Sequence, residues 1–535
     1  MQIYLEEYVE RERKRALLKS EADINTVAML AALADCKKKG IHTLILEPKT
    51  YCFRAMEATE KMIVASNNDS GVKKVLVDLS GMAGLTIDGQ GAVLLFQDRI
   101  LPIYVKESRD ITIQNLFIDY VYPFYLQGKI TGVGDSYLDL EIDRDRFPYV
   151  VEHETLFYRT EGYATSQFYN VLEVNAKSGL VETKKGDDWG NMDKAVQLDE
   201  GHIRIYKKFE KPHTVGNYVI LQIENREYPA IIMDSSQKIT LRQVTVWQSY
   251  SMALLAQKSR DIQVYDCRVG RKEKDARLIS ASADALHFVN CSGRVVVDHC
   301  AFSHQMDDAV NCHGIYMQIT EVSGRKLIAE AKHPQQYQVD IFEDGDMAAF
   351  LEQRTLKSIG GGCIENWARL DEKRIEVLLQ ESNPKLKPGD LIENQERMPE
   401  LLISNCTIGN MRARGVLVTT PKDAEICHNY FHTSGSAVLV EGDGNFWYES
   451  GAVNHLHIHD NEFADCCYSE CPTWGEAVIQ VSPKVFGRSE ADGFYHKHMC
   501  VEHNRFRVKD AALIKAFQVE DIQWKCNYVE DNNTI

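Results

Sequence analysis

A frame of one apolar residue, two free positions, then Val, Cys, Asn or Leu, one free position and another apolar residue recurs through the second half of this chain. Its copies begin at Leu241, Val264, Val297, Ile403, Ile426, Ile458 and Val501, with a weaker one at Trp524. The intervals are 23, 33, 106, 23, 32, 43 and 23 residues. A period in the twenties, built of short β-branched segments between turn residues, marks a solenoid, and alternation within each segment makes it a β-solenoid. The longer steps read as one coil plus an insertion. An earlier copy at Ile113 and a Gly-rich stretch around Ile87 extend the pattern toward the N-terminus, which predicts about ten or more coils. Cys267, Cys300 and Cys406 share one frame position, and Asn429, Asn461, Asn504 and Asn527 take it over further on. Identical residues at one position of successive coils predict stacked, buried ladders, so these cysteines are expected to pack rather than to react or bind metal.

Two stretches break the period. Residues 126–224 and 317–396 carry short alternating strands with Gly-containing turns and a closing apolar strand, which predicts two small antiparallel β-barrels inserted between coils and walling a cleft. The N-terminal charged, amphipathic segment and the helical pattern of ADINTVAMLAALADCKKKG predict a helical cap, because an open coil end exposes a sheet edge and its apolar core. The expected layout is a cap and first coils over 1–125, a barrel over 126–224, coils with an acidic motif over 225–316, a second barrel over 317–396 and final coils over 397–535. The fold class is all-β, a right-handed parallel β-helix. At 535 residues the chain exceeds one ordinary domain, yet a solenoid escapes that ceiling because each coil touches only its neighbours.

A net charge of -17 argues against a phosphate track for nucleic acid, and no apolar run is long enough to span a bilayer. With no secretory signal visible and 14 cysteines, a reducing cytoplasm is the expected compartment, although an exported chain stripped of its leader would read the same.

The segment from Ser282 to Tyr316 carries the chemistry. Asp284 lies 23 and 24 residues before Asp307 and Asp308, one coil length, so the three carboxylates are expected to converge on neighbouring coils about 4.8 Å apart. Crowded carboxylates raise one another's pKa and keep one proton near neutrality, the state of a general acid. Glycoside hydrolysis needs such an acid together with a carboxylate that attacks or activates water. An isolated Asp pair would more often be a solvated turn or a Ca²⁺ ligand; the third, coil-spaced Asp and the flanking His287, His304 and His313 weigh against that.

The runs ADALHFVNC, QMDDAVNCHGIY, AKHPQQY, RARGVLVTT and WYESGAV, in this order, resemble the glycoside hydrolase family 110 α-1,3-galactosidases over most of the chain. The resemblance implies a parallel β-helix with two inserted barrels and exo-hydrolysis of terminal α-1,3-linked galactose, as in blood-group-B-like or linear oligosaccharides. It also implies inversion, no metal and no cofactor. Asp284, Asp307 and Asp308 then supply acid and base, and a fainter likeness to polygalacturonases points to Asp308 as the acid. His287, His313, Arg412, Arg414, Trp447, Glu449 and Trp474 are expected to contact the oligosaccharide: arginine forks and a carboxylate suit sugar hydroxyls, and indole rings suit the apolar face of galactose. His455, His457 and His459 alternate with Leu456 and Ile458 and are expected on the outer face without a metal. Cys466, Cys467 and Cys471 lack the partner pair of a zinc site. Two rivals remain: a polysaccharide lyase acting on uronic-acid polymers with Ca²⁺, and a non-catalytic glycan-binding solenoid. An acidic side face leaves room for a homodimer.

Overall fold

A computed structural model describes the chain except residues 16–18, 183–186, 224–225, 470–471, 485–488 and 531–535. The repeat frame is the register of the molecule. In one parallel sheet Leu241 pairs with Val264, Val264 with Val297, Val297 with Ile403, Ile403 with Ile426, Ile426 with Ile458, Ile458 with Val501 and Val501 with Trp524. The column continues upstream through Ile113, Ile87 and Leu44 to Ile3. A second parallel sheet runs the same way, and the inward side chains of both fill one continuous apolar core along the rod. Burying a Val or Ile side chain contributes about 1.5–3 kcal/mol, which no single coil could collect without its neighbours.

The ladders form as the shared frame position requires. Cys267, Cys300 and Cys406 are buried in the core. Where asparagine takes over, each side-chain oxygen accepts from the preceding coil: Cys406 N and Asn429 Oδ1 lie 2.8 Å apart, Asn429 N and Asn461 Oδ1 3.0 Å, and Asn461 N and Asn504 Oδ1 3.0 Å. Buried amides are thereby satisfied along the rod.

The cap consists of α1, Leu5–Arg15, and α2, Glu21–Lys39. Ser20 and Asp23 form a reciprocal capping box at the start of α2, and Gly40, with φ of +61°, ends it in the left-handed conformation that glycine adopts without strain. Ile24, Ala28, Met29, Ala32, Leu33 and Cys36 close the core at this end. One feature differs from expectation: Gln2–Tyr4 precedes α1 as a strand paired with Thr43–Ile45, so the rod begins before the cap helices.

Both breaks in period are antiparallel inserts. The second closes into a six-stranded barrel whose strands run from Met317–Ser323 to Leu391–Asn394. The first builds a seven-stranded sheet and a separate three-stranded sheet around one core, and among its described residues the ladder runs edge to edge instead of closing. Among the described residues no helix is long and apolar enough to cross a membrane.

Candidate active site

Three consecutive coils place the acidic motif. Leu286 pairs with Val310 and Val310 with Val416, so Asp284, Asp308 and Arg414, each two positions earlier, occupy the same place on successive coils. Alternation sends Leu286 and Phe288 into the core and turns His287 outward, while Asp284, in the turn before this strand, also faces the cavity. One oxygen from each of Asp284, Asp307 and Asp308 lies within 4.8 Å of the others.

Each carboxyl is held differently. Asp308 accepts a two-point fork from Arg414, Nε to Oδ1 at 2.7 Å and Nη2 to Oδ2 at 2.8 Å, and the Arg414 backbone N–H adds a third bond to Oδ1 at 3.2 Å. Asp307 accepts from Arg226 Nη2 at 2.6 Å. Among the described residues no arginine is hydrogen-bonded to Asp284, which feels Arg226 and Arg414 only through space: its Oδ1 accepts the Asp308 backbone N–H at 3.2 Å, and its Oδ2 lies 2.5 Å from His287 Nδ1. Burial pushes Asp284 well above the ordinary carboxylate range, helped by the negative charge of Asp307. Burial likewise pushes Asp308 up, to about 8, against the pull of Arg414. Burial alone would raise Asp307 too, but Arg226, Arg412 and Arg414 hold it below the ordinary range. The stacked pair Asp284 and Asp308 thus retains a proton at neutral pH beside an ionised Asp307, a division of labour suited to acid–base catalysis.

These groups open onto a cavity of about 890 Å³. Its walls come from the coils, from Gln167, Tyr169 and Trp189 of the first insert, from His333, Pro334 and Gln335 of the second, and from the segment carrying Trp447 and Glu449. That segment reaches the site because Glu449–Ser450 pairs antiparallel with Ile315 and Gly314. The structure brings Arg412, Arg414, Trp447, Glu449 and Trp474 to this cavity. Their roles divide. The Arg412 guanidinium is spent on protein: Nε and Nη2 grip Asp187 at 2.8 and 3.0 Å, and Nη1 donates to the Met306 carbonyl. It lies 4.4 Å over the Trp474 ring and 5.2 Å over Trp189. Arg412 therefore latches the first insert to the coils and sets two indole walls.

His287 lines the cavity, yet the ring nitrogens of both His287 and His313 meet protein partners. His287 Nδ1 faces Asp284 and its Nε2 lies 2.9 Å from His313 Nε2, while His313 Nδ1 lies 2.6 Å from the Gly314 carbonyl oxygen. All four ring nitrogens are thus engaged by protein, and through His287 the pair is tied to Asp284. Glu449 accepts from Asn67 Nδ2 at 2.9 Å and lies 3.4 Å from His313 Nε2. His304, which flanks the motif in sequence, is half-buried near Arg271 and Arg268, does not line this cavity, and is pushed down to about 3 by loss of solvent and by those two cations.

Sequence reasoning passed over Arg226, Asn67, Tyr169 and Trp189, whose positions follow no repeat; His333 and Gln335 lie within the AKHPQQY run. Elsewhere, His457 and His459 point outward beside Glu502 and Glu425, at 3.0 Å each, as their alternation requires. Cys466 and Cys467 are buried, and Cys471 lies outside the described residues.

Comparison with known proteins agrees with this geometry. Residues 126–219 match the family model described as GLAA-B beta-barrel domain I, and residues 326–392 match GLAA-B beta-barrel domain II. An α-1,3-galactosidase A of Shewanella woodyi is 31% identical over 94% of this chain and 82% of its own length. An α-1,3-galactosidase B of Bacteroides thetaiotaomicron is 30% identical over 95% of this chain and 84% of its own length. A parallel β-helix with two inserts at these positions, related along nearly its whole length to those enzymes, is a glycoside hydrolase: the chain belongs to the α-1,3-galactosidase family.

Proposed function

We propose that this enzyme removes terminal α-1,3-linked galactose from the non-reducing end of blood-group-B-like or linear oligosaccharides, with inversion at the anomeric carbon, using Asp284, Asp307 and Asp308. The observation that carries the reading is the triad itself, two stacked carboxyls that retain a proton beside an ionised Asp307, at the floor of a cavity walled by indoles. Walls drawn from both inserts and from the Trp447 segment suit a chain end better than a long polymer running through. For inversion, the support is that both oxygens of Asp284 and of Asp308 already face protein partners. Carboxylates held in this way are better placed to orient a water than to attack carbon.

A second stereochemical reading rests on one observation. The closest oxygens lie within 4.8 Å, whereas two-carboxylate inverting sites are usually about 6.5–9.5 Å apart and retaining ones about 5–5.5 Å. Following the first-formed anomer by NMR separates the two. Incubation with α-1,3-galactobiose and with a fucosylated B-type trisaccharide should release β-galactose first, and the ratio of rates ranks branched against linear substrates. α-Galactose as the first product would establish retention, and no galactose from either sugar would reject the linkage.

A further inference from the structure

The packing that explains the cysteine ladder does not explain Cys427 and Cys500. Cys267, Cys300 and Cys406 belong to the core of the rod, whereas Cys427 and Cys500 adjoin the core residues Ile426 and Val501 on the alternate, outward positions. On three successive coils each frame residue is flanked by two outward side chains that carry donor atoms. Glu425 and Cys427 flank Ile426, His457 and His459 flank Ile458, and Cys500 and Glu502 flank Val501. Parallel register then lays out a grid on the outer face of the first sheet: Glu425, His457 and Cys500 form one row across the coils, and Cys427, His459 and Glu502 the next. Neighbours along a row start about 4.8 Å apart and the two rows about 6.6 Å apart, close enough for side chains to converge.

They converge in two trios. One donor atom each of Glu425, Cys427 and His459 lies within 4.8 Å of the other two, and the same holds for His457, Cys500 and Glu502. Carboxylate oxygen, cysteine sulfur and imidazole nitrogen are the donors that Zn²⁺ takes. The trios differ in how the imidazole is held. His459 Nε2 lies 3.0 Å from Glu425 Oε1, inside its trio, and Nδ1 lies 2.8 Å from Asp460 Oδ2, outside it. A carboxylate behind Nδ1 holds the ring hydrogen there and leaves the Nε2 lone pair for an ion, the arrangement that orients metal-bound histidines. His457 meets Glu502 through Nε2 at 3.0 Å, and among the described residues no carboxylate bonds to its Nδ1. Cys427 is buried by its neighbours although it faces outward, while Glu425 is exposed and leaves a path from solvent. None of these residues lines the catalytic cavity.

We infer that Glu425, Cys427 and His459 form a binding site for Zn²⁺ or a like divalent transition-metal ion, with Asp460 positioning His459. This reverses the expectation that the outer histidines stand without a metal. The ion accepts lone pairs from Glu425 Oε1, Cys427 Sγ and His459 Nε2, and the thiol hydrogen leaves to solvent as a proton; no oxidation state changes. Three protein donors leave a tetrahedral ion one place for water. Because Glu425 and Cys427 come from one coil and His459 from the next, the ion clamps two coils of the C-terminal rod and acts on its stability.

The test adds Zn²⁺, and in parallel Co²⁺ as its coloured stand-in, to the full chain freed of metal by chelation and gel filtration. Wild type should retain one ion per chain, gain melting temperature with it, and show the ultraviolet sulfur-to-cobalt charge-transfer band together with the strong visible bands of a four-coordinate site. Cys427→Ser should lose the charge-transfer band. Asp460→Asn should weaken Zn²⁺ binding by about 10–100-fold, and His459→Gln by more than that. Cys500→Ser and Asp307→Asn should bind as wild type does, which separates this site from the neighbouring trio and from the catalytic carboxylates. Should Cys427→Ser not fold, the less deeply placed His459 and Asp460 variants carry the test, each compared at the melting temperature of metal-free wild type. A wild type that retains no ion, a cobalt complex without the sulfur band, a folded His459→Gln that binds unchanged, or a band lost in Cys500→Ser and kept in Cys427→Ser overturns the site.

Discussion

Replacing Arg412 by Met tests whether this arginine is a latch rather than a sugar contact. Both members of the pair with Asp187 are buried, with side chains 4% and 2% exposed, and two short bonds join them. Removing one partner of a buried ion pair typically destabilises by about 3–5 kcal/mol, because the other charge stays buried and unpaired. Asn170 Nδ2 still donates to Asp187 Oδ1 at 2.8 Å, which places the expected cost near the lower end, about 3 kcal/mol. A rod with inserts does not unfold in one step, so this loss should appear as local opening of the strand Asp188–Trp189, which pairs with Asn170 and Val171. At about 1.4 kcal/mol per factor of ten, amide exchange around Gly190, whose N–H is bonded to the Tyr169 carbonyl, should accelerate on the order of a hundredfold. KM should rise with it, since Trp189 and Trp474 lose the guanidinium between them. Asp187→Asn supplies the cycle: with Arg412→Met it should give a coupling of about 2 kcal/mol or more. Additive effects, or exchange in that strand changed less than about threefold, which is below about 0.7 kcal/mol, would refute the latch.

Four further outcomes follow from the same geometry. Asp307→Asn and Asp308→Asn should each lower kcat by about 10²–10⁴ with folding intact, checked by steady-state kinetics beside a melting curve. Chelation with EDTA should leave activity unchanged, because Arg226, Arg414 and His287 already engage at least one oxygen of each triad carboxyl and two of them bring positive charge; restored activity on adding Ca²⁺ would revive the uronate reading. Asn461→Val strands the Asn429 backbone N–H and one of the two Nδ2 hydrogens, each nitrogen 3.0 Å from Asn461 Oδ1, while Nδ2 keeps its bond to the Ile403 carbonyl, and should cost about 2–4 kcal/mol in urea denaturation of the C-terminal coils. On pH, the folded-state pKa of Asp284 lies above its unfolded value, so the unfolded chain binds fewer protons and stability falls as pH climbs past about 4. Asp284→Asn removes that titration, so its stability relative to wild type should improve as pH rises, read as melting temperature across pH 4–8.

The β-helix was legible because a solenoid repeats its own register. A residue such as Ile426 must stack on Ile403 and under Ile458, and spacing alone states this without any long-range inference. The Asp284 and Asp308 stack was readable for the same reason. Arg414 could be named but its partner could not: it sits on the next coil only after the second insert is excised, 106 residues from Asp308. Arg226 and Asn67 carry no signal in the frame, since each arrives from a connection whose course depends on packing. That the first insert is a barrel was legible, but the order of its strands was not, because alternation predicts strands and not which edges meet.

Sequence by itself thus determined the coil, its core column, the cysteine and asparagine ladders and the meeting of the carboxylates, all of which are consequences of local period. Only the tertiary structure decided what each polar group faces. Arg412 reads as a sugar contact until Asp187 arrives from the first insert, and the ring nitrogens of His287 and His313 read as ligand contacts until Asp284 and the Gly314 carbonyl engage them. A period fixes where a side chain starts; the direction of a hydrogen bond depends on its partner, and here the partners come from chain segments that share no period with the coils.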